Sequence, residues 1–169
     1  MIIDIANVGT REKMIEAAFE PDEIDLDETV TFIEGVVLKG SVQLVDARAT
    51  VTATIETDVS VNCARCLEPI SKHLVVPFRA AFVDSDADQA SSNTEIAGEQ
   101  LEESVAEDGK VDLAEVIREQ VLLEVPVQNF CKDDCKGLCQ QCGANLNLID
   151  CNCADDEIDP RWAALKNLR

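Results

Sequence analysis

"ATVTATIETDVSVNC", residues 49–63, is the stretch that decides the fold. Its odd positions read Ala49, Val51, Ala53, Ile55, Thr57, Val59, Val61 and Cys63, and its even positions read Thr50, Thr52, Thr54, Glu56, Asp58, Ser60 and Asn62. An apolar/polar period of two sustained this long describes a β-strand with one face on a core and the other in water. The residues before it alternate as well, with Val36, Leu38, Val42 and Leu44 opposed to Lys39, Ser41 and Gln43, and Gly40 is expected at a bend or bulge. After "CARCLEP", the residues Leu74, Val76, Phe78, Ala80 and Phe82 repeat the pattern. Three long half-buried strands joined by short turns imply an antiparallel sheet, barrel-like or sandwiched, from Ile33 to Val83.

Outward from the sheet the signals change. Ile2, Ile3 and Ile5 suit a short strand, "REKMIEAAF" at 11–19 suits one or two turns of an N-terminal helix, and "EPDEIDLDE" is acidic. From Asp84 to Lys110 there are nine acidic residues against one basic, with few large apolar ones, the composition of a solvated linker. Asp112 can cap a helix over 112–124 with Glu115 as its reciprocal partner, and Leu113, Val116, Ile117 and Val121 then share one face. Pro126 stops that helix. In "DPRWAALKNLR", Asp159 is an N-cap and Pro160 takes the first helical position, so that Trp162, Leu165 and Leu168 can dock a terminal helix on the core. The expected fold is therefore α+β: a mainly β part over 1–83 with an N-terminal helix and an acidic linker over 84–110. A helix, a cysteine-rich zinc knuckle and a terminal helix over 111–169 then pack on the sheet as one domain.

Charge narrows the partners. Fourteen basic against 34 acidic residues give a formal net charge of -20, which repels phosphate backbones and anionic membranes. A basic protein partner fits that field better than RNA. The opening "MIIDIANVGTREKM" lacks a basic stretch followed by an apolar run, and nowhere do eighteen apolar residues occur together, so the expected location is the cytoplasm, without a membrane anchor. There disulfides are rare, and eight cysteines in 169 residues fall below the roughly 8–10% of short secreted disulfide scaffolds.

The cysteines carry the chemistry. Six are spaced Cys131-x3-Cys135-x3-Cys139-x2-Cys142-x8-Cys151-x-Cys153, and Cys63-x2-Cys66 lies upstream. Gaps of two or three residues let a chain bend round one ion and present sulfurs about 2.3 Å from it, the design of structural zinc sites. Gly143 directly after Cys142, and Gly137 between Cys135 and Cys139, supply the positive φ that turns backbone amides toward thiolate sulfurs. Spacing leaves the pairing open. One arrangement joins Cys63 and Cys66 with Cys139 and Cys142, leaving Cys131, Cys135, Cys151 and Cys153 for a second ion; another makes one local site from four of the six clustered residues. The first would clamp the sheet to the C-terminal segment, and either would couple folding to metal, one or two zinc ions per chain.

Rival chemistries use the same residues less well. "CARC" invites comparison with a thiol–disulfide oxidoreductase acting through Cys63 and Cys66, but the βαβ context of that motif is missing. An iron–sulfur cluster needs only four cysteines, although CxxCG turns favour zinc. A catalytic zinc calls for an open position and usually His or carboxylate ligands, whereas His73 is the only histidine and falls on the polar parity of its strand. Neither a Ser-His-Asp set nor a phosphate-cradling Gly loop occurs, so no catalytic residues are assigned.

Taken together, "NCARCLEP", "VDLAEVIREQVLLEVPVQNFCKDDCKGLCQQCGANLN", "CNC" and "DPRWAALKNL" resemble the bacterial YceD-type, or large ribosomal RNA subunit accumulation, family, also present in plastids. The resemblance runs from about Ile33 to Leu168. It implies a part in synthesis, processing or stability of large-subunit ribosomal RNA, without an established catalytic activity, and genes of the family often neighbour that of a small large-subunit ribosomal protein. By position, its motif residues are the eight cysteines with Arg65, Leu67, Gly137, Leu138, Gly143, Asn145, Leu146, Asn147, Asp159, Pro160 and Arg161. Some relatives lack most of the C-terminal cysteines, which suits a structural role for Cys131 to Cys153. The expectation is a non-enzymatic factor in large-subunit ribosome biogenesis, acting through a basic ribosomal protein or assembly factor. Arg65, Lys132, Lys136 and Arg161 offer at most a small basic patch to RNA. The alternatives are the oxidoreductase and a zinc-binding adaptor unrelated to ribosomes.

Overall fold

A computed structural model describes residues 1–84 and 103–153. In chain order its strands are β1 (Ile2–Asp4), β2 (Lys13–Phe19), β3 (Val30–Phe32), β4 (Val36–Val45), β5 (Arg48–Asn62), β6 (Pro69–Asp84), β7 (Glu103–Ala106) and β8 (Lys110–Asp112), followed by helix α1 (Leu113–Glu124). β5 is the axis of the molecule. Each odd-numbered residue from Ala49 to Cys63 is buried, as the period of two requires. β5 pairs antiparallel with β6 in unbroken register from Ala49↔Phe82 to Asn62↔Pro69. On its other side β4 covers Arg48 to Glu56 and β3 covers Val59 to Val61. Asp46 and Ala47 connect β4 to β5 with φ of 50° and 64°, the two positive values of a type I′ hairpin, whose twist matches that of the strands.

The larger sheet runs β2-β4-β5-β6-β7, with β3 beside β5, while β1 and β8 form a separate two-stranded sheet. Its two end strands do not pair with each other, so the sheet is open, and the barrel-like closure expected from the sequence is corrected. The N-terminal helix is corrected too. Residues 13–19 form β2, where Ile15, Ala17 and Phe19 are buried and pair with Gly40, Leu38 and Val36. The local propensity of "REKMIEAAF" is helical, but its period-two apolar set has a row of β4 to cover. The expected linker is shortened at both ends. Asp84 closes β6, and Glu103–Ala106 adds a parallel strand against Ala81–Asp84 that delivers Ala106 to the core. The rest of it, 85–102, and the terminal helix expected at 159–168 lie outside the described residues.

Helix α1 takes Asp112 as N-cap, whose carboxylate accepts from the Ala114 amide at 3.0 Å. Leu113, Val116, Ile117 and Val121 are its buried residues, the stripe read from the sequence. Glu115 does not complete the reciprocal cap; it faces Arg118 at 3.5 Å, one turn along the helix. Arg118 in turn donates to the carbonyls of Asp25 (3.0 Å) and Leu26 (3.3 Å). This holds the segment carrying buried Ile24 and Leu26 beside the helix. One core thus lies under α1 and that segment, against the odd-residue face of β5 and its partners. The opposite sheet face is polar, with Lys39 and Glu16 3.5 Å apart and His73 between Asp58 and Glu56. Among the described residues no helix is long and apolar enough to cross a membrane.

Gly40 has a different reason from the expected bulge, since the registers on both sides of it are continuous. A Cβ there would stand 2.3 Å from the Thr52 carbonyl oxygen and 2.4 Å from the Ala53 Cβ; the strands are packed too closely for a side chain. Thr57 is the converse case, a hydroxyl on the buried parity with no hydrogen-bond partner. Gly40→Ala is expected to destabilise the chain by about 1–3 kcal/mol. Thr57→Val, which removes an unsatisfied buried oxygen, should instead gain about 1 kcal/mol. Denaturant midpoints at fixed free metal concentration measure both.

Candidate metal centres

The hairpin joining β5 to β6 builds the first centre. Its loop is Cys63–Glu68, closed by the Cys63 amide donating to the Glu68 carbonyl (2.9 Å) and the Leu67 amide donating to the Cys63 carbonyl (2.9 Å). Behind it the chain leaving α1 is fixed by Asn129, a buried side chain that accepts from Lys72 Nζ and donates to the Pro126 carbonyl. Its own carbonyl accepts from the Ala64 amide at 2.7 Å. The next residues then carry Cys131 and Cys135 to the hairpin loop. Cys63, Cys66, Cys131 and Cys135 present four sulfurs within 4.8 Å of one another. The pairs Cys63–Cys135 and Cys66–Cys131 are 3.9 and 3.6 Å apart, against the edge of about 3.8 Å of a tetrahedron with 2.3 Å metal–sulfur bonds. Cys63, Cys66 and Cys135 are buried and Cys131 is exposed.

Arg65 holds the two halves together. Its guanidinium donates to the carbonyls of Asp133 (3.0 Å) and Cys135 (3.1 Å) and lies 4.4 Å from the centre of the Phe130 ring. It is therefore engaged within the centre; Arg161, also assigned to a basic patch, lies outside the described residues.

A second group of four follows within one loop. Cys139, Cys142, Cys151 and Cys153 also bring their sulfurs within 4.8 Å of one another, at intermediate or exposed positions. The "CQQCG" turn repeats the first hairpin loop: the Gly143 amide donates to the Cys139 carbonyl at 2.9 Å, and Gly143 has φ 72°. Gly137, with φ 76°, lets its neighbour Leu138 donate to the Arg65 carbonyl (3.1 Å). In "CARCL" the position equivalent to Gly143 is Leu67, with φ 61°. A side chain in that region costs about 1–2 kcal/mol.

Of the two pairings weighed from the sequence, the one joining Cys63 and Cys66 to Cys139 and Cys142 is replaced, whereas a local site made of four of the six clustered residues is present. Cys63 and Cys66 meet Cys131 and Cys135, not Cys139 and Cys142, and the second group is entirely local. The reason is the site of "CARC" in a hairpin loop that faces the end of α1, which the chain leaves only a few residues before Cys131. Cys63 and Cys66 are 0% and 4% exposed, unlike the partly exposed cysteines usual in thiol–disulfide exchange.

The two groups are wired together through the "NLN" turn. Asn147 Nδ2 donates to Cys135 Sγ at 3.3 Å and to Asn145 Oδ1 at 2.9 Å, while its Oδ1 accepts from the Lys136 amide at 3.0 Å. Asn145 Nδ2 reaches back to Glu68 at 2.9 Å. The loop folded round the second group therefore supplies a hydrogen bond to a sulfur of the first. Sequence spacing contained no sign of this, nor of Asn129 and Lys72; only the family resemblance had singled out the two asparagines.

The electrostatics match thiolate donors. Burial pushes the Cys63 thiol up, but the amides of Cys66, Arg65 and Cys131 outweigh it and bring it down to about 6. Burial and then the thiols of Cys135 and Cys66 drive Cys131 up to about 12. In the second group the amides of Cys142 and Gln141 bring Cys139 down to about 6, and Cys142, with burial, drives Cys153 up to about 12. Four close sulfurs release their first proton easily and their last only with difficulty, because negative charge accumulates. A bound dication removes that penalty. The chemistry and spacing of both donor sets fit a tetrahedrally coordinated metal ion.

Two outcomes follow. Metal uptake at neutral pH should displace protons from Cys66, Cys131, Cys151 and Cys153, all held above the ordinary thiol range, so affinity rises with pH; protons begin to compete for Cys63 and Cys139 as pH falls through about 6. Calorimetry in buffers of different ionisation enthalpy counts them, and zero protons released rules out thiolate ligation. Asn147→Ala should lower the metal affinity of the first group by about 10–100-fold, the usual effect of losing a hydrogen bond to a ligand, as read by competition with a chromophoric chelator.

Residues 51–169 match the family model described as Large ribosomal RNA subunit accumulation protein YceD. An uncharacterized protein of Mycobacterium tuberculosis is 32% identical over 173 residues, covering 98% of this chain and 79% of the relative. YlbN of Bacillus subtilis, also named as uncharacterized, is 25% identical over 164 residues, with 92% and 91% covered. In Arabidopsis thaliana the chloroplastic large ribosomal RNA subunit accumulation protein YCED homolog 1 is 42% identical over 60 residues, covering 36% of this chain and 19% of the relative. No solved structure matches the chain.

Proposed function

The chain belongs to the YceD family of large ribosomal RNA subunit accumulation proteins, and from that premise we propose a non-enzymatic factor in large-subunit ribosome biogenesis that supports synthesis, processing or stability of large-subunit ribosomal RNA. The observation that carries the reading is the family match over 51–169, which includes all eight cysteines. Two plant relatives that bear the accumulation name share 60 and 122 residues with this chain, 19% and 42% of their own length. The protein works in the bacterial cytoplasm, on assembling subunits.

Both cysteine groups bind zinc as structural staples. Three buried sulfurs in the first support this, as does the make-up of both groups, which among the described residues are cysteine alone, without the histidine or carboxylate usual at an open catalytic position. The action on RNA is indirect. Each four-thiolate site adds two negative charges once its zinc is counted, to a chain already at -20. Arg65, which lies between Cys63 and Cys66 in the chain, is spent on carbonyls and a ring. A basic ribosomal protein or assembly factor is the partner this field attracts.

Depletion should lower mature large-subunit RNA relative to small-subunit RNA and distort the subunit profile; unchanged profiles and precursor levels would reject the function. Elemental analysis of protein purified without added metal should find zinc at about two per chain, and zinc-free folded protein, or iron in its place, would reject the staple.

A further inference from the structure

We infer that Leu67 and the groove beside it form the docking surface for a basic, apolar segment of a protein partner, an inference that gives a location to the partner proposed above. The starting point is the pair of equivalent turns. At Gly143 the positive φ is met by the residue that adopts it without strain, whereas at Leu67 the same turn carries a branched side chain at φ 61°. That side chain is 62% exposed. It does not offset its strain by filling the core, and a strained residue held at the surface is a candidate for function.

Leu67 also lines a groove with Leu122, Val125, Pro126, Val127 and Asp27. Val127 is 99% exposed, so the turn after α1 adds a second apolar side chain to the same place. Among the described residues, Asp27 is the one charged residue lining the groove, and no lysine or arginine does so. Glu68 and Glu124, exposed, directly follow Leu67 and precede Val125 in the chain. Apolar anchors with an acidic margin, on a chain of net charge -20, fit a segment that brings apolar side chains and lysines or arginines together; a phosphate backbone meets repulsion at the same spot. The two zinc staples then have a use in recognition, since the first fixes the Cys63–Glu68 loop and the start of the Val127–Cys131 segment against each other.

The test uses the full chain in its own cells, with a benzophenone amino acid at position 127 and, as control, at position 75 on the polar sheet face, where Val75 is 55% exposed. Irradiation should crosslink position 127, and not 75, to a lysine- and arginine-rich segment of another protein, identified by mass spectrometry of the joined peptide. Leu67→Gly should cut that yield by about ten-fold or more while zinc content stays as it was and the denaturation midpoint holds or rises, because glycine suits the turn. Joining to residues 154–169 of the same chain, to a second copy, to RNA or to nothing overturns the docking surface, as does a smaller loss of yield. A basic partner with no ribosomal connection would instead remove the biogenesis reading and leave the groove. A ribosomal RNA defect on depletion without the crosslink would do the reverse.

Discussion

Four sulfurs at the end of the β5–β6 hairpin are the contact on which the arrangement of this molecule depends. Cys63 and Cys66 sit in the hairpin loop and Cys131 and Cys135 arrive after helix α1, so one group closes a stretch that includes β6, β7, β8 and the helix. Closing a long stretch removes more unfolded-state freedom than closing a short one, though the increase is only logarithmic in length. The larger consequence is positional. With three of its sulfurs buried, the group cannot form unless the hairpin loop and the segment beyond α1 are both in place, and the hydrogen bonds of Asn129 and Arg65 are arranged around that meeting. The local second group depends on the first for its position, through Leu138 on Arg65 and Asn145 on Glu68.

What was legible in the sequence follows from how local the causes are. The period of two in β5 survives because every odd residue faces one core, and the stripe on α1 survives for the same reason. β2 was misread because "REKMIEAAF" contains good helix formers, and the deciding factor, an uncovered row on β4, is remote in sequence. β7 carries one large apolar residue, Val105, and exists because β6 runs on far enough to pair it in parallel. Gly40 was recognised as special, but the reason, backbone proximity to Thr52 and Ala53, requires knowing the register.

The candidate site divides the same way. Residue type and the CxxC spacing singled out all eight cysteines that the fold gathers into two groups able to hold a metal ion, because an ion would impose that geometry locally. Their partition into two groups was beyond spacing, since nothing in the interval between Cys66 and Cys131 records that the chain returns to the hairpin. The positive φ at Gly137 and Gly143 was foreseeable from glycine itself. The same conformation at Leu67 was hidden, because leucine normally argues against it, and the equivalence of "CARCL" with "CQQCG" emerges only when both turns show the same amide-to-carbonyl bond.

The acidity and the staples belong to one design. A chain with few aromatic residues builds its core mostly from valine, isoleucine, leucine and alanine, with Phe19 and Phe82, on one sheet face, which leaves the loops at the hairpin end with little apolar mass of their own. Thiolate groups solve this without adding hydrophobic bulk, and they do so at the end where Leu67, Val127, Leu148 and Ile149 remain exposed. A rigid apolar surface in a strongly negative field selects against nucleic acid and against anionic membranes, and it favours proteins that would themselves bind RNA through basic segments. Under the proposed function, an effect on ribosomal RNA therefore needs no direct contact with RNA: a surface that holds a basic partner and yields it to a stronger competing polyanion would suffice.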